Sequence, residues 1–289
     1  MDDRRNGARA KEMTPDDYCQ QKAAASGSSF YYSFMFLPPA RRRAITALYA
    51  FCREVDDVVD ETADENLARL KLAWWRAEIG ELFRGNPQHP VTRALAPCLA
   101  PYSLTHDRLS EIIDGMEMDL VQSRYFDFPG LERYCHLVAG VVGLCAADIF
   151  GRSESATLEY ARNLGLAFQL TNIIRDVGED ARRGRVYLPV NELQQFDVPV
   201  ADILNARYGS NFTRLMEYQY VRAEYYYATA LSALPAVDRR AQRPGLIMAA
   251  IYRALLKEIR RDGFQVLHQR TSLTPIRKLW LAWKTWTFD

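Results

Sequence analysis

Apolar residues along this chain recur three and four positions apart over one stretch after another, and strict alternation is scarce. The spacing predicts helices from about Ala40 to Glu61, Leu67 to Arg84, His106 to Gln122, Gly130 to Gly151, Ser153 to Asp180, Asn211 to Ala233 and Gly245 to Gln269. Between them stand residues that interrupt helices: Pro38-Pro39, Gly85-Asn86-Pro87, Phe128-Pro129-Gly130, Leu188-Pro189, Leu234-Pro235 and Arg243-Pro244-Gly245. No repeat of fixed period, low-complexity tract or long linker divides the pattern. It predicts one all-α bundle domain over residues 13–289. Residues 1–12 are polar and charged, lack the apolar run of a signal peptide, and read as a disordered lead-in.

Two of the helices carry a second, polar stripe. In the first, Ile45, Leu48, Cys52, Val55 and Val59 recur at spacings of 3, 4, 3 and 4 and mark the core face. Tyr49, Arg53, Asp56 and Asp60 recur at 4, 3 and 4 on a face rotated by about 100°. Asp57 adds a third carboxylate. Like charges one turn apart destabilise a helix by a few tenths of a kcal/mol unless a cation lies between them. A solvated acidic helix end paired with Arg53 is the plain alternative. In the later helix, Leu166, Leu170, Ile173 and Val177 form the apolar stripe, and Gln169, Asn172, Asp176 and Asp180 the polar one. Asn172 lies deep in an apolar helix, where an amide needs a partner. Arg175, Arg182, Arg183, Arg185 and Tyr187 surround or follow it.

Two helices bearing Asp-x-x-x-Asp suggest a bundle with a cavity acidic on two sides. Hard oxygen donors of this kind suit Mg²⁺, which uses one or two carboxylates and completes its octahedron with water and phosphate oxygens. Neighbouring arginines would hold the same phosphates bidentately. The alternative is two sets of surface salt bridges.

Composition narrows the classes. The 289 residues are 48% hydrophobic and 25% charged, enough for a sizeable core. A net charge of +1 gives nucleic-acid binding no support. The five cysteines form no Cys-x-x-Cys pair and their number is odd, which argues against a disulfide framework or zinc site and for a reducing cytoplasm. His89, His106, His136 and His268 lack metal-ligand spacing and read as structural or exposed. No run of about 18 apolar residues predicts a spanning helix.

The segments YAFCREVDDVVDE (Tyr49 to Glu61) and NIIRDVGEDARRGRVYLP (Asn172 to Pro189) resemble the two signature segments of squalene and phytoene synthases. SGSSFYYSFMFLP (Ser26 to Pro38), GMEMDL (Gly115 to Leu120) and YCHLVAGVVG (Tyr134 to Gly143) agree with the same family, in the same order, and the likeness runs from Tyr18 to Arg270. The texture of YCQQKAAASGSSFYYSFMFLPP is most similar to bacterial presqualene diphosphate synthases of hopanoid biosynthesis. The resemblance implies an all-helical isoprenoid synthase fold around a central cavity. It implies Asp56, Asp60, Asn172, Asp176 and Asp180 as magnesium ligands. Arg53, Arg175, Arg185, Tyr49 and Tyr187 would line the diphosphate region, with Tyr252 and Arg270 as later contacts. Ser29 and Phe30 match the N-terminal substrate segment, and Val138, Gly143 and Gln169 would meet the prenyl chain or reacting centre.

The implied reaction joins two farnesyl diphosphates to presqualene diphosphate. Phytoene or dehydrosqualene synthesis, a full NADPH-dependent squalene synthase and, remotely, a non-catalytic helical assembly factor are the alternatives; substrate length is not readable from the motifs. Phe30, Tyr31, Phe34 and Phe51 are candidates to face a carbocation, against a plain role in core packing. Gly140 and Gly143 would leave room for substrate or let helices approach. Met116 and Met118 read as core filler, and Asp119 as either a site-orienting residue or half of a salt bridge. The tail PIRKLWLAWKTWTFD (Pro275 to Asp289) is basic, aromatic and amphipathic. It is expected either to pack back on the domain or to lie at the inner face of a membrane, near downstream pathway enzymes.

Overall fold

Proline is tolerated in the first turn of a helix because the N–H it lacks would have no partner there. In the computed structural model, which describes residues 13–25 and 33–288, Pro39, Pro90, Pro129 and Pro244 all stand in first turns. The expected lead-in at 1–12 and the residues Ser29, Phe30 and Tyr31 lie outside those described. In chain order the helices are α1 (Pro15–Ala25), α2 (Pro39–Glu61), α3 (Glu65–Phe83), α4 (Pro90–Leu95), α5 (His106–Val121) and α6 (Phe128–Cys135). A π turn at His136–Gly140 leads into α7 (Val141–Phe150). Then follow α8 (Ala156–Arg182), α9 (Val190–Gln195), α10 (Val200–Leu204), α11 (Ser210–Ala233), α12 (Ala236–Arg239), α13 (Arg243–Arg261) and α14 (Pro275–Phe288). Among the described residues the only extended pairing is an isolated parallel bridge between Arg124 and Val186. The all-α expectation holds.

One expected helix is corrected, and another is found with a π turn inside it. The one read through to Gln269 stops at Arg261. Gly263, at φ +66°, donates its N–H to the Arg260 carbonyl and Phe264 donates to Ile259, a Schellman ending that the Asp262-Gly263 pair permits. The one read as continuous from Gly130 to Gly151 contains the π turn, where Val138 packs so close to α5 that a Cβ on Gly115 would lie 2.7 Å from its Cγ1.

Two apolar clusters make up the core. One gathers α1 to α5 with α7, around Leu48, Phe51, Val55, Trp75 and Ile112. The other gathers α6, α8 to α11, α13 and α14, around Tyr160, Leu170, Tyr227 and Leu256. Val138 packs against both. The stretch Phe128–Phe150 is long and apolar enough to cross a membrane, contrary to the sequence expectation. Its apolar residues have a different use here: Leu131, Tyr134, Cys135, Val141, Cys145, Ala147, Ile149 and Phe150 are buried in the two clusters. Gly143 and Gly165 let α7 and the π turn meet α8 backbone to backbone. A Cβ on Gly143 would stand 2.5 Å from the Ala161 carbonyl oxygen, and one on Gly165 2.4 Å from that of Ala139. The glycines at 140 and 143 therefore serve helix approach rather than room for substrate.

Candidate active site

Where the two clusters meet, α2, α5, α6, α8 and α13 enclose a cavity of about 700 Å³. The amphipathic logic of α2 places its second face there. With Ile45, Leu48 and Val55 buried, Tyr49, Arg53, Asp56 and Asp60 are left facing the cavity. On α8, burial of Leu166, Leu170, Ile173 and Val177 likewise turns Gln169, Asn172, Asp176 and Asp180 into it. The loop after α8 is pinned from outside: Val186 donates its N–H to the Ser123 carbonyl and Val190 to that of Tyr125. Arg185 and Tyr187, on either side of Val186, line the cavity. After the Schellman ending of α13 the chain crosses α8 at Gly178, whose N–H donates to the Val266 carbonyl at 3.2 Å, and this brings Arg270 to the rim.

Arginines hold the carboxylates. Arg53 bonds Asp56 and Asp57. Arg175 holds Asp176 through two hydrogen bonds, and Arg270 reaches the same carboxylate at 2.9 Å. Asp60 meets Arg185 at 3.0 Å and Arg183 at 3.1 Å, which ties α2 to the end of α8 across the cavity. Three of the expected aspartates are shifted, and not in the same direction. Burial works to raise Asp176, but Arg175 and Arg270 outweigh it and hold the carboxyl below its ordinary range. Asp56 is pushed up to about 6, by burial first and then by Asp60, Asp57 and Asp119, against Arg53. Asp180 is pushed up to about 7 by burial together with Asp176 and Asp119.

Beneath the acidic rim lies a group that sequence reasoning did not assemble. Asp119 of α5 accepts the hydroxyl of Tyr187 at 2.8 Å and that of Tyr134 at 3.0 Å. The two rings stack at 5.4 Å and 20°, and Tyr125 backs both. Among the described residues Asp119 has no salt bridge, and its two oxygens go to the tyrosine hydroxyls. Burial raises its pKa, while the two hydroxyls and Arg185 pull the other way. Both tyrosine hydroxyls sit above their ordinary range, mainly through burial and the adjacent Asp119.

Fourteen of the expected residues thus share this one cavity: the eight just named on α2 and α8, with Val138, Arg175, Arg185, Tyr187, Tyr252 and Arg270. Gly143 is not among its lining residues. Phe34 and Phe51 are core aromatics, packed against Phe150 and Trp75, and not cavity walls. Met116 is buried in the core as expected and also borders the cavity, and Met118 packs, half-buried, against the second cluster. Residues missed as site members include Tyr134, Glu179 and Lys278; Asp119 and Arg183, both open to a site role from the sequence, also line the cavity. A signal existed for Tyr134, which precedes Val138 by one helical turn.

The donors fit a divalent cation, though not as a preformed cage: among the described residues no group of three His, Cys, Asp or Glu side chains converges to hold a metal ion. Asn172 Oδ1 is buried without a hydrogen-bond partner, while its amide nitrogen donates to Gln169 at 3.3 Å. An unpaired buried carbonyl oxygen beside two carboxylates is what a hard cation with incomplete protein coordination would use.

Comparison with known proteins agrees with this geometry. The squalene/phytoene synthase family model matches residues 23–277. The chain belongs to the squalene/phytoene synthase family. It is 34% identical to the phytoene synthase of Arthrospira platensis over 276 residues, covering 91% of this chain and 89% of that one. Among solved structures, a dehydrosqualene synthase in complex with ligand superposes with a TM-score of 0.84 at 27% identity, covering 95% and 96% of the two chains. Squalene synthase HpnC from Alicyclobacillus acidocaldarius gives 0.78 at 26%, covering 86% and 94%. Membership makes the protein a prenyl transferase of isoprenoid biosynthesis that joins prenyl diphosphates head to head.

Proposed function

We propose that the protein condenses two farnesyl diphosphates into presqualene diphosphate, releasing one diphosphate. One observation carries the reading: the acidic faces of α2 and α8 meet across a single cavity whose carboxylates are interleaved with arginines. Six acids (Asp56, Asp60, Asp119, Asp176, Glu179 and Asp180) face six bases (Arg53, Arg175, Arg183, Arg185, Arg270 and Lys278). With as many acids as bases in the lining, little positive charge is left over for a diphosphate, which supports cations entering with it. Asp56, Asp60, Asn172, Asp176 and Asp180 would hold Mg²⁺, which supplies Lewis-acid neutralisation of the leaving diphosphate.

The chain's own residues do the rest. Arg53, Arg175, Arg185 and Arg270, released from their carboxylates, donate to diphosphate oxygens. The C1–O bond of the first substrate breaks, the 2,3 double bond of the second attacks C1, and loss of a proton to the departing diphosphate closes the cyclopropane. Tyr134 and Tyr187 are fixed by Asp119, and their hydroxyl protons are committed to that carboxylate, so they orient the reacting chains instead of quenching a cation. Val138, Ile173, Ile251 and Leu255 supply the water-excluding wall.

The C15 substrate is supported by the dehydrosqualene synthase and squalene synthase HpnC neighbours. The phytoene synthase relatives support a second reading, in which two geranylgeranyl diphosphates give phytoene. Purified protein is incubated with Mg²⁺ and either substrate, with and without NADPH, and the lipids are identified by mass spectrometry. Presqualene diphosphate from farnesyl diphosphate in both conditions is expected. Phytoene from the longer substrate alone overturns the chain-length reading. Squalene only with NADPH, or dehydrosqualene, shows that the reaction runs past presqualene diphosphate. No product from either substrate overturns catalysis altogether.

A further inference from the structure

Helix α14 is amphipathic with its apolar face turned outward. Ala282 and Thr285 are buried, and Trp286 stacks on Phe36 at 4.8 Å beneath the Arg243 guanidinium. These residues fasten one side of the helix to the domain. Lys278, also on that side, lines the rim of the active-site cavity. Ile276, Leu279, Trp280 and Trp283 recur at spacings of 3, 1 and 3 on the opposite side, where helix packing should have left polar residues. They are 80%, 45%, 53% and 55% exposed.

The charge pattern says what covers them. The helix Pro275–Phe288 has no acidic residue and three basic ones. Lys284 lies over the Trp280 ring at 5.1 Å, at the border of the exposed stripe, and Arg277, paired with Glu258 at 2.7 Å, lies on the same border. A second protein would usually answer exposed tryptophans with a shaped apolar partner. Tryptophan beside lysine, with leucine and isoleucine between, is the composition that settles at the headgroup level of a bilayer, the indole rings at the boundary and the ammonium among the phosphates. We propose that α14 docks the protein on the surface of an anionic phospholipid bilayer, lying in the interface plane without crossing it. The choice of a bilayer also leans on the prenyl substrates proposed above, which partition into lipid. The test below uses no substrate, so it can fail independently of that reading.

The full-length protein is sedimented with vesicles of phosphatidylcholine containing phosphatidylglycerol, and with vesicles of phosphatidylcholine alone. Binding to the anionic vesicles, weakened by salt, is expected. The double variant Trp280→Ser/Trp283→Ser should lower the partition coefficient by about tenfold or more. Lys284→Glu should lower it roughly tenfold on anionic vesicles and little on neutral ones. Neither variant touches the cavity, so melting temperature and turnover on detergent-dispersed substrate should stay at wild-type values. No sedimentation with anionic vesicles, or sedimentation unchanged in the double variant, overturns the proposal. So does a dimer in sizing chromatography that the double variant breaks while vesicle binding is absent, which would assign the face to a second copy of the chain.

Discussion

Asp119→Asn separates positioning from packing. The carboxylate takes two tyrosine hydroxyls, one on each oxygen, and lies among the rings of Tyr134 and Tyr187. Asparagine has nearly the same shape, but only its carbonyl oxygen can accept. The amide nitrogen would face one tyrosine oxygen donor to donor, and that hydroxyl must turn away. A hydrogen bond to a charged acceptor contributes about 1.5–3 kcal/mol, and about 1.4 kcal/mol corresponds to tenfold in rate. If the freed tyrosine no longer frames the reacting chains, kcat/KM falls by roughly 10- to 100-fold. Stability should move little, because the substitution also removes a carboxylate that burial disfavours. The assay is steady-state product formation, with a thermal melt of the same preparation. A kcat/KM within about twofold of wild type refutes the positioning role. A lowered melting temperature with unchanged turnover would make Asp119 a structural residue only.

Two further outcomes are expected. In Gly178→Ala the new methyl would meet the Leu267 carbonyl oxygen at 2.2 Å and its carbon at 2.5 Å, all backbone. The overpacking, about 1–3 kcal/mol, exceeds the gain of roughly 1 kcal/mol from helix propensity. The urea midpoint should therefore fall and KM rise as Arg270 shifts, whereas unchanged or greater stability would show that the 266–270 crossing is not held by this contact. Metal affinity should depend on pH. Asp56 and Asp180, raised to about 6 and about 7 in the metal-free protein, are protonated below those values and must lose protons before binding a cation. Magnesium affinity, followed calorimetrically, should weaken as pH falls from 8 to 5.5, by up to about tenfold per unit for each proton displaced. A flat profile would remove these carboxylates from the metal site.

Much of the site was legible because its two main walls are single helices. Helical spacing alone puts Tyr49, Arg53, Asp56 and Asp60 on one face, and Gln169, Asn172, Asp176 and Asp180 on another. What periodicity does not carry is contact between elements distant in the chain. Nothing in the spacing of Asp119 shows that it meets Tyr187, 68 residues on, because that pairing depends on the loop pinned at Val186. Lys278 was missed for the same reason. Glycine at 143 was open to two readings, room for substrate or helix approach, and what decides between them is the neighbouring backbone of Ala161. The overextension of α13 is a different failure, since the Asp262-Gly263 signal was in the sequence and apolar residues beyond it masked the stop.

The central claim is that α2 and α8 form one magnesium-dependent diphosphate site. It is tested most directly by titrating a non-reactive thiolo analogue of farnesyl diphosphate into the wild-type, Asp56→Asn and Asp176→Asn proteins, with Mg²⁺ and with a chelator. The account predicts binding by the wild type only with Mg²⁺, a severe loss in each variant, and wild-type melting temperatures for all three without metal. Equal affinity with and without Mg²⁺, or undiminished binding in either variant, would contradict it.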